Sequence, residues 1–216
     1  NLYNCGVLAV EDSRESIFET LKISAEIFAH GGGLGINFSP LREFGAPVST
    51  GSRASGPVSF MSMFDRAASV MSQTSRRGGF LGVLDVDHPD ILKFIKAKTE
   101  DGKLPHFNIS VGITDEFIEA VRNDDEWLTY SRYDGTPHTL YKAREIFDEI
   151  ARHAWASGEP GILFLDHLNK DNAVPHLGKI RTTNLCFSGD MRLLTEYGYF
   201  SFKELVGMKN VKVVSH

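Results

Sequence analysis

Two thiols, Cys5 and Cys186, carry the strongest chemistry available to these 216 residues. A thiolate is both nucleophile and redox centre, and its reactivity is set by exposure and neighbouring charge. Two cysteines so far apart do not make a disulfide scaffold. They suit a reducing compartment, where a cysteine is either core filler or chemistry. Cys5 follows Asn4, and Cys186 closes Asn184-Leu185-Cys186, so a carboxamide stands close to each thiol. A polar loop, Ser72-Gln73-Thr74-Ser75-Arg76-Arg77-Gly78-Gly79, places two guanidinium groups between apolar segments. Arginine pairs read phosphates and bases well, although a solvated loop has the same composition.

The glycines at Gly31-Gly32-Gly33-Leu34-Gly35 invite comparison with a dinucleotide-binding turn. That turn needs a strand, then Gly-x-Gly-x-x-Gly, then a helix whose N-terminus receives the pyrophosphate. Here the glycines follow a helical pattern and precede an apolar run, and the third glycine falls on Ile36 or Phe38. A helix C-cap followed by close strand packing accounts for them better. Close approach of a substrate to such a glycine backbone stays open.

The elements that must position these residues alternate. Apolar runs at residues 6–10, 34–38, 80–84, 107–111 and 162–165 read as strands. Helical periodicity separates them: 13–30 with Asp12 and Ser13 as cap candidates, 57–71 opened by Pro57, 89–98, 114–121 capped by Thr114, and 141–156 closed by Gly158. In the second helix, Phe60, Phe64, Ala67 and Met71 are expected to form the buried face. Short apolar strands alternating with amphipathic helices imply parallel β/α units. After Cys186 the texture changes to short β-segments at 193–195, 199–202 and 211–214, so a boundary is expected there. Hydrophobic residues make up 42% of the chain, enough for a core, and the net charge of −5 is spread without a basic block. Nucleic-acid binding is not expected, and neither is a membrane span or secretion, so a cytoplasmic location is expected. No metal-ligand spacing is found. The chain reads as a piece of a longer protein, cut at both ends.

Several separated segments, in order, resemble the large subunit of ribonucleotide reductase, and within it the adenosylcobalamin-dependent (class II) branch. They are Val10-Glu11-Asp12-Ser13 with Glu15-Ser16-Ile17-Phe18-Glu19-Thr20-Leu21, the stretch 31–38 with Leu41-Arg42, Ala54-Ser55-Gly56-Pro57-Val58-Ser59-Phe60-Met61, Val86-Asp87-His88-Pro89-Asp90-Ile91, and Phe107-Asn108-Ile109-Ser110-Val111. The resemblance covers roughly residues 4–185. It implies the first part of a ten-stranded α/β barrel that reduces ribonucleotides by thiyl-radical chemistry, with adenosylcobalamin as cofactor and a thioredoxin-like reductant. Cys5 matches the first member of the redox cysteine pair. Its partner would lie elsewhere, and pairing of Cys5 with Cys186 is not expected. Asn4, Cys5, Gly33 and Asn184 match substrate-contacting positions. Asp12, Ser13 and Arg42 match a site for a deoxynucleotide (dNTP or ATP) effector at a homodimer interface. The loop 72–79 matches the element that relays effector identity, with Gln73 and Arg77 as readers, although Thr74-Ser75 stands where the family has Gly-Gly.

In that family the radical cysteine sits in Asn-x-Cys-x-Glu. Asn184-Leu185-Cys186 matches, but Phe187-Ser188 follows and the acid is missing. The text after it, Cys186-Phe187-Ser188-Gly189-Asp190, Leu194-Thr195-Glu196-Tyr197-Gly198-Tyr199 and Phe202-Lys203-Glu204-Leu205, resembles the opening splicing block of Hint-fold inteins. That resemblance divides the chain into 1–185, barrel, and 186–216, a short all-β intein segment. It makes Cys186 the nucleophile of an N-to-S acyl shift. The later intein motifs are absent, so completion would need further sequence or a C-terminal split-intein partner chain. Two other readings are kept: Cys186 is itself the radical cysteine without an intein, or the chain is a catalytically inactive nucleotide-binding module.

Overall fold

The computed structural model describes residues 5–71, 79–99, 103–184, 192–205, 208 and 211–212. Five strands, β1 (Cys5–Ala9), β2 (Gly33–Asn37), β3 (Phe80–Asp85), β4 (Phe107–Ile113) and β7 (Gly161–Phe164), form one all-parallel sheet in the order β1-β2-β3-β4-β7. The strands follow chain order with no reversal. A doubly wound sheet would reverse at a switch point, whereas this order fits a segment of a barrel wall. Between the strands run α1 (Arg14–Ala29), α2 (Pro57–Met71), α3 (Ile91–Ile95), α4 (Asp115–Asn123) and α5 (Ala143–Ser157). Cys5 pairs in register with Gly33, and Leu34 with Phe80. The central strands β2, β3 and β4 are almost wholly buried on both faces, as parallel sheets require, whereas the edge strands β1 and β7 are partly exposed. Stacked rings of Phe28, Phe80 and Phe107, with centroid separations of 5.1 and 4.8 Å, join α1 to the sheet.

Local chemistry explains the boundaries. Ser13 caps α1 by accepting from the Ser16 amide at 3.1 Å, and Thr114 caps α4 by accepting from the Phe117 amide at 3.2 Å. Gly31 takes a positive φ of 72° to end α1.

The sequence reading needs four corrections here. The buried stripe of α2 is turned by one position, to Met61, Phe64, Asp65 and Ala68, while Phe60 is half-buried and Met71 exposed. Asp65 can sit in that stripe because its carboxylate accepts from the His106 amide at 2.8 Å. The helix expected over 89–98 shrinks to α3, because the Asp90 amide donates to the His88 ring and holds a turn at 88–90. Tyr141 belongs not to a helix but to β6 (Pro137–Lys142), which pairs antiparallel with β5 (Glu126–Tyr130) in a hairpin that the apolar pattern did not reveal. That hairpin is fastened by Trp127, whose ring meets Phe117 edge-on at 5.1 Å and whose indole N–H donates to the Val86 carbonyl. Finally, a short helix α6 (Leu165–Lys170) follows β7.

The chain divides into two compact units, residues 1–184 and 185–216. The second contains an antiparallel hairpin, β8 (Arg192–Thr195) with β9 (Gly198–Ser201), and then a single helical turn, α7 (Phe202–Leu205). The turn departs from the expected all-β texture. Glu204 explains it, since its carboxylate reaches back to the Ser201 amide and hydroxyl at 2.7 and 2.8 Å. Of the strand expected over 211–214, residues 211–212 are not extended into a strand, and the remainder lies outside the described residues.

Candidate functional site

The N-terminal ends of β1 and β2 bring three of the expected residues together. Cys5 opens β1 with its side chain exposed, and its register partner Gly33 opens β2. Asn184 arrives from the far end of the unit. Its Nδ2 donates to the Gly6 carbonyl at 3.2 Å, and its carboxamide lies against Gly33. The segment leading to it is held from several sides. The Asn169 side chain donates to the Ile180 carbonyl and accepts from its amide, each at 2.8 Å, and Asn37 Nδ2 donates to the Arg181 carbonyl at 2.8 Å. The Thr183 carbonyl then passes so close to Gly35 that any Cβ there would overlap it. A thiol, a carboxamide and a bare glycine backbone thus converge at one end of the sheet. Asn4 and Cys186, also expected here, lie outside the described residues.

At the opposite ends of the same strands, Asp12 and Arg42 meet. The Asp12 carboxylate accepts from Arg42 Nε at 2.7 Å and from its backbone amide at 3.1 Å. Arg42 Nη1 donates to the Pro47 carbonyl at 2.6 Å. They border a cavity of about 590 Å³, lined also by Ser13, Thr50, Arg53, Phe60 and Tyr133. Three guanidinium groups (Arg14, Arg42 and Arg53), a carboxylate, hydroxyls and two aromatic rings suit an anion bearing a sugar and a base. Ser13 lines this cavity, but its hydroxyl oxygen is occupied as the α1 cap. Gln73 and Arg77 lie outside the described residues.

Sequence reasoning missed Arg53, which is held by donation from Nη1 to the Gly45 carbonyl at 2.8 Å, and Tyr133 on the hairpin. Arg53 stood visible in a Gly/Ser-rich loop. Tyr133 carried no local signal, because the hairpin bringing it there was not recognised.

A buried polar network braces this end. Glu43, beside Arg42, accepts from the Ser131 hydroxyl and the Arg132 amide, each at 2.8 Å. Burial alone would raise its carboxyl, but these bonds and its own backbone amide hold it below the ordinary range. Arg132 also pairs with Asp87. Burial pushes the Asp85 carboxyl up, the Asn37 amide offsets part of this, and the charge of Asp87 adds to it.

A parallel β/α sheet thus carries an exposed thiol and a carboxamide at one end and an arginine–carboxylate cavity at the other. The chain belongs to the family of the ribonucleotide reductase barrel domain, whose model matches residues 3–188. It is similar to the vitamin B12-dependent ribonucleoside-diphosphate reductase of Mycobacterium tuberculosis (strain CDC 1551 / Oshkosh), with 47% identity over 196 residues, 89% of this chain and 28% of that one. The enzyme of that name from Thermoplasma acidophilum is 46% identical over 193 residues, 88% of this chain and 25% of that one. The ribonucleoside-diphosphate reductase NrdEB subunit alpha of Bacillus subtilis (strain 168) is 31% identical over 250 residues, 99% of this chain and 23% of that one. The chain therefore spans only about a quarter of the length of these relatives. Among the described residues no helix is long and apolar enough to cross a membrane.

Proposed function

We propose that this chain is the opening part of the catalytic barrel of a vitamin B12-dependent ribonucleotide reductase, controlled by a deoxynucleotide and joined after Leu185 to the start of an intein. The observation that carries the reductase reading is the convergence of Cys5, Gly33 and Asn184 on one strand end. In this reading Cys5 and a second thiol beyond the described residues give up two electrons and two protons and become a disulfide. The ribonucleotide loses its 2′ hydroxyl as water, and a thioredoxin-like protein restores the thiols. Asn184 holds the ribose hydroxyls by hydrogen bonding, and Gly33 lets the sugar approach the backbone.

The relatives' names suggest adenosylcobalamin, which supplies the radical initiation when bound. The described residues around Cys5 offer a thiol, a carboxamide and a glycine backbone, and no cradle assignable to a corrin. Asp12, Arg42 and the cavity between them take the dNTP or ATP effector, and the complete protein is a cytoplasmic homodimer.

The full-length protein should form deoxyribonucleotide from ribonucleoside diphosphate or triphosphate when given adenosylcobalamin and dithiothreitol. Cys5→Ser should stop multiple turnover. Sustained turnover by that variant would remove Cys5 from the mechanism.

Three observations support the intein reading. The family model stops at residue 188, a separate compact unit starts at 185, and the motif's acid is missing at residue 188. The NrdEB alignment, covering 99% of the chain, runs on through this tail. The proposed step is attack of the Cys186 thiol on the Leu185 carbonyl. The amide C–N bond breaks, a thioester forms, and the amine of Cys186 is released. Hydroxylamine should then cleave the chain between Leu185 and Cys186, as read by mass, and Cys186→Ala should abolish cleavage. An intact wild-type mass would favour Cys186 as a reductase residue.

A further inference from the structure

We propose that Tyr133 is a positioning residue for Arg42, closing one face of its guanidinium so that the free edge is presented to phosphate in the Asp12–Arg42 cavity. This rests on the reading of that cavity as a nucleoside triphosphate site. The Tyr133 ring centroid lies 5.0 Å from Arg42 Cζ. The guanidinium is already fixed in its plane, with Nε on Asp12 Oδ2 at 2.7 Å and Nη1 on the Pro47 carbonyl at 2.6 Å. Those two bonds set the edge of the fork, and the ring blocks tilting out of the plane. The ring also removes water from one face, which strengthens the attraction of the charge for an anion.

Tyr133 reaches this place through backbone geometry. The tip of the β5–β6 hairpin is tied to Glu43, the residue next to Arg42, through the Ser131 hydroxyl and the Arg132 amide. The Ser131 hydroxyl also accepts from the Tyr133 amide at 3.2 Å. The hairpin's attachment at residue 43 therefore sets the ring at residue 42. At 50% exposed, Tyr133 is not there to fill a core. It borders the cavity, together with Arg42 and Arg53.

The test is equilibrium binding of dTTP and, separately, of inorganic tripolyphosphate to the full-length chain. Wild type, Tyr133→Phe, Tyr133→Leu, Arg42→Ala and the Tyr133→Leu/Arg42→Ala double variant are compared. Tyr133→Phe keeps the ring and should bind like wild type. Tyr133→Leu should lose about three- to tenfold for both probes, the range of a partly exposed cation–π contact. In the Arg42→Ala background, Tyr133→Leu should add nothing, since its effect passes through the guanidinium. Independent, multiplying losses would overturn the proposal, and so would a loss confined to dTTP, which would make the ring a base platform. If Tyr133→Leu does not fold, Tyr133→Gln takes its place with the same expectation. Wild type binding neither probe would overturn the reading of the cavity itself. Wild-type binding left unchanged by removal of the ring would overturn only the role of Tyr133.

Discussion

Asn184 stands so close over Gly33 that a Cβ on residue 33 would lie 3.3 Å from its side-chain oxygen and 3.4 Å from its nitrogen. Two residues along the strand the fit is tighter, since a Cβ on Gly35 would meet the Thr183 carbonyl oxygen at 1.8 Å. Backbone cannot yield as a flexible side-chain tip does. Gly35→Ala should therefore expel residues 182–184 from β2 and cost about 3 kcal/mol, the upper range of overpacking. Gly33→Ala asks only a few tenths of an ångström of Asn184, so it should fold but shift the carboxamide. Urea unfolding of both variants checks this. A Gly35→Ala protein as stable as wild type would mean that the 182–184 segment does not lie on β2.

Asp12 and Arg42 lead to a binding prediction. Truncating Asp12 to Ala removes the acceptor of both the Arg42 amide and Nε, leaving the guanidinium held by the Pro47 carbonyl and the Tyr133 ring. Hydrogen bonds to charged groups contribute about 1.5–3 kcal/mol, so dNTP affinity should fall by at least about tenfold. Arg42→Lys keeps the charge but cannot present a fork to Asp12 and the ligand together, so it should fall nearly as far. Titration with dATP and dTTP measures both. Equal affinity in wild type and Asp12→Ala would remove this cavity from effector binding.

Much of this fold was legible because local chemistry and tertiary packing agreed. Pro57, Ser13, Thr114 and Gly158 stand at helix ends where their backbone preferences place them, and each buried strand showed as an apolar run. The hairpin at residues 126–142 was not legible. Its strands are half exposed, with Thr129 buried and Tyr130 out, and its turn at Asp134-Gly135 is one polar pair among many. Its position depends on Glu43, about ninety residues away, which no local window contains. The α2 stripe was misread for a related reason. Asp65 looks like a solvent residue until its partner, the amide of His106, is brought to it from the next strand connection. At the site, Cys5 and Asn184 were visible as chemistry, but their meeting at Gly33 depends on the 180–184 return segment. Its anchors, Asn37 and Asn169, have no motif.

His88 predicts a pH dependence. It is fully buried, its Nε2 faces the Leu41 carbonyl at 2.9 Å, and its Nδ1 accepts from the Asp90 amide at 3.0 Å. That pattern fits one neutral tautomer, because a second ring proton would point at an N–H. Burial lowers its pKa first and foremost, and the Arg132 charge adds to this, against the Leu41 carbonyl and nearby carboxylates. With the folded value below the unfolded one, the unfolded chain binds more protons. The contribution is complete above the unfolded value of about 6.5 and is lost as pH falls below it. Unfolding free energy should therefore decline between about pH 6.5 and 5.5, more steeply in wild type than in His88→Gln. Parallel slopes in the two proteins would show that His88 is not held neutral.

Lys98 and Glu159 yield the sharpest stability prediction. Their side chains are 18% and 17% exposed and pair at 2.8 Å. Glu159 also accepts from the Ile109 amide at 2.9 Å, while Lys98 Nζ donates to the Phe107 carbonyl, so the pair clamps both sides of β4's first turn of ladder. Removing one partner strands the other charge in a poorly hydrated place. Lys98→Met should cost about 1–3 kcal/mol, less than breaking a fully buried pair, because both groups keep some contact with water. Glu159→Gln should cost less, since an amide oxygen can still accept from Ile109. The double variant, Lys98→Met with Glu159→Gln, should recover part of the loss, because no charge is then left unpaired. A thermodynamic cycle on urea midpoints measures the coupling. Strict additivity would mean that the two groups act separately, each through its own backbone contact on β4 and not through their ion pair.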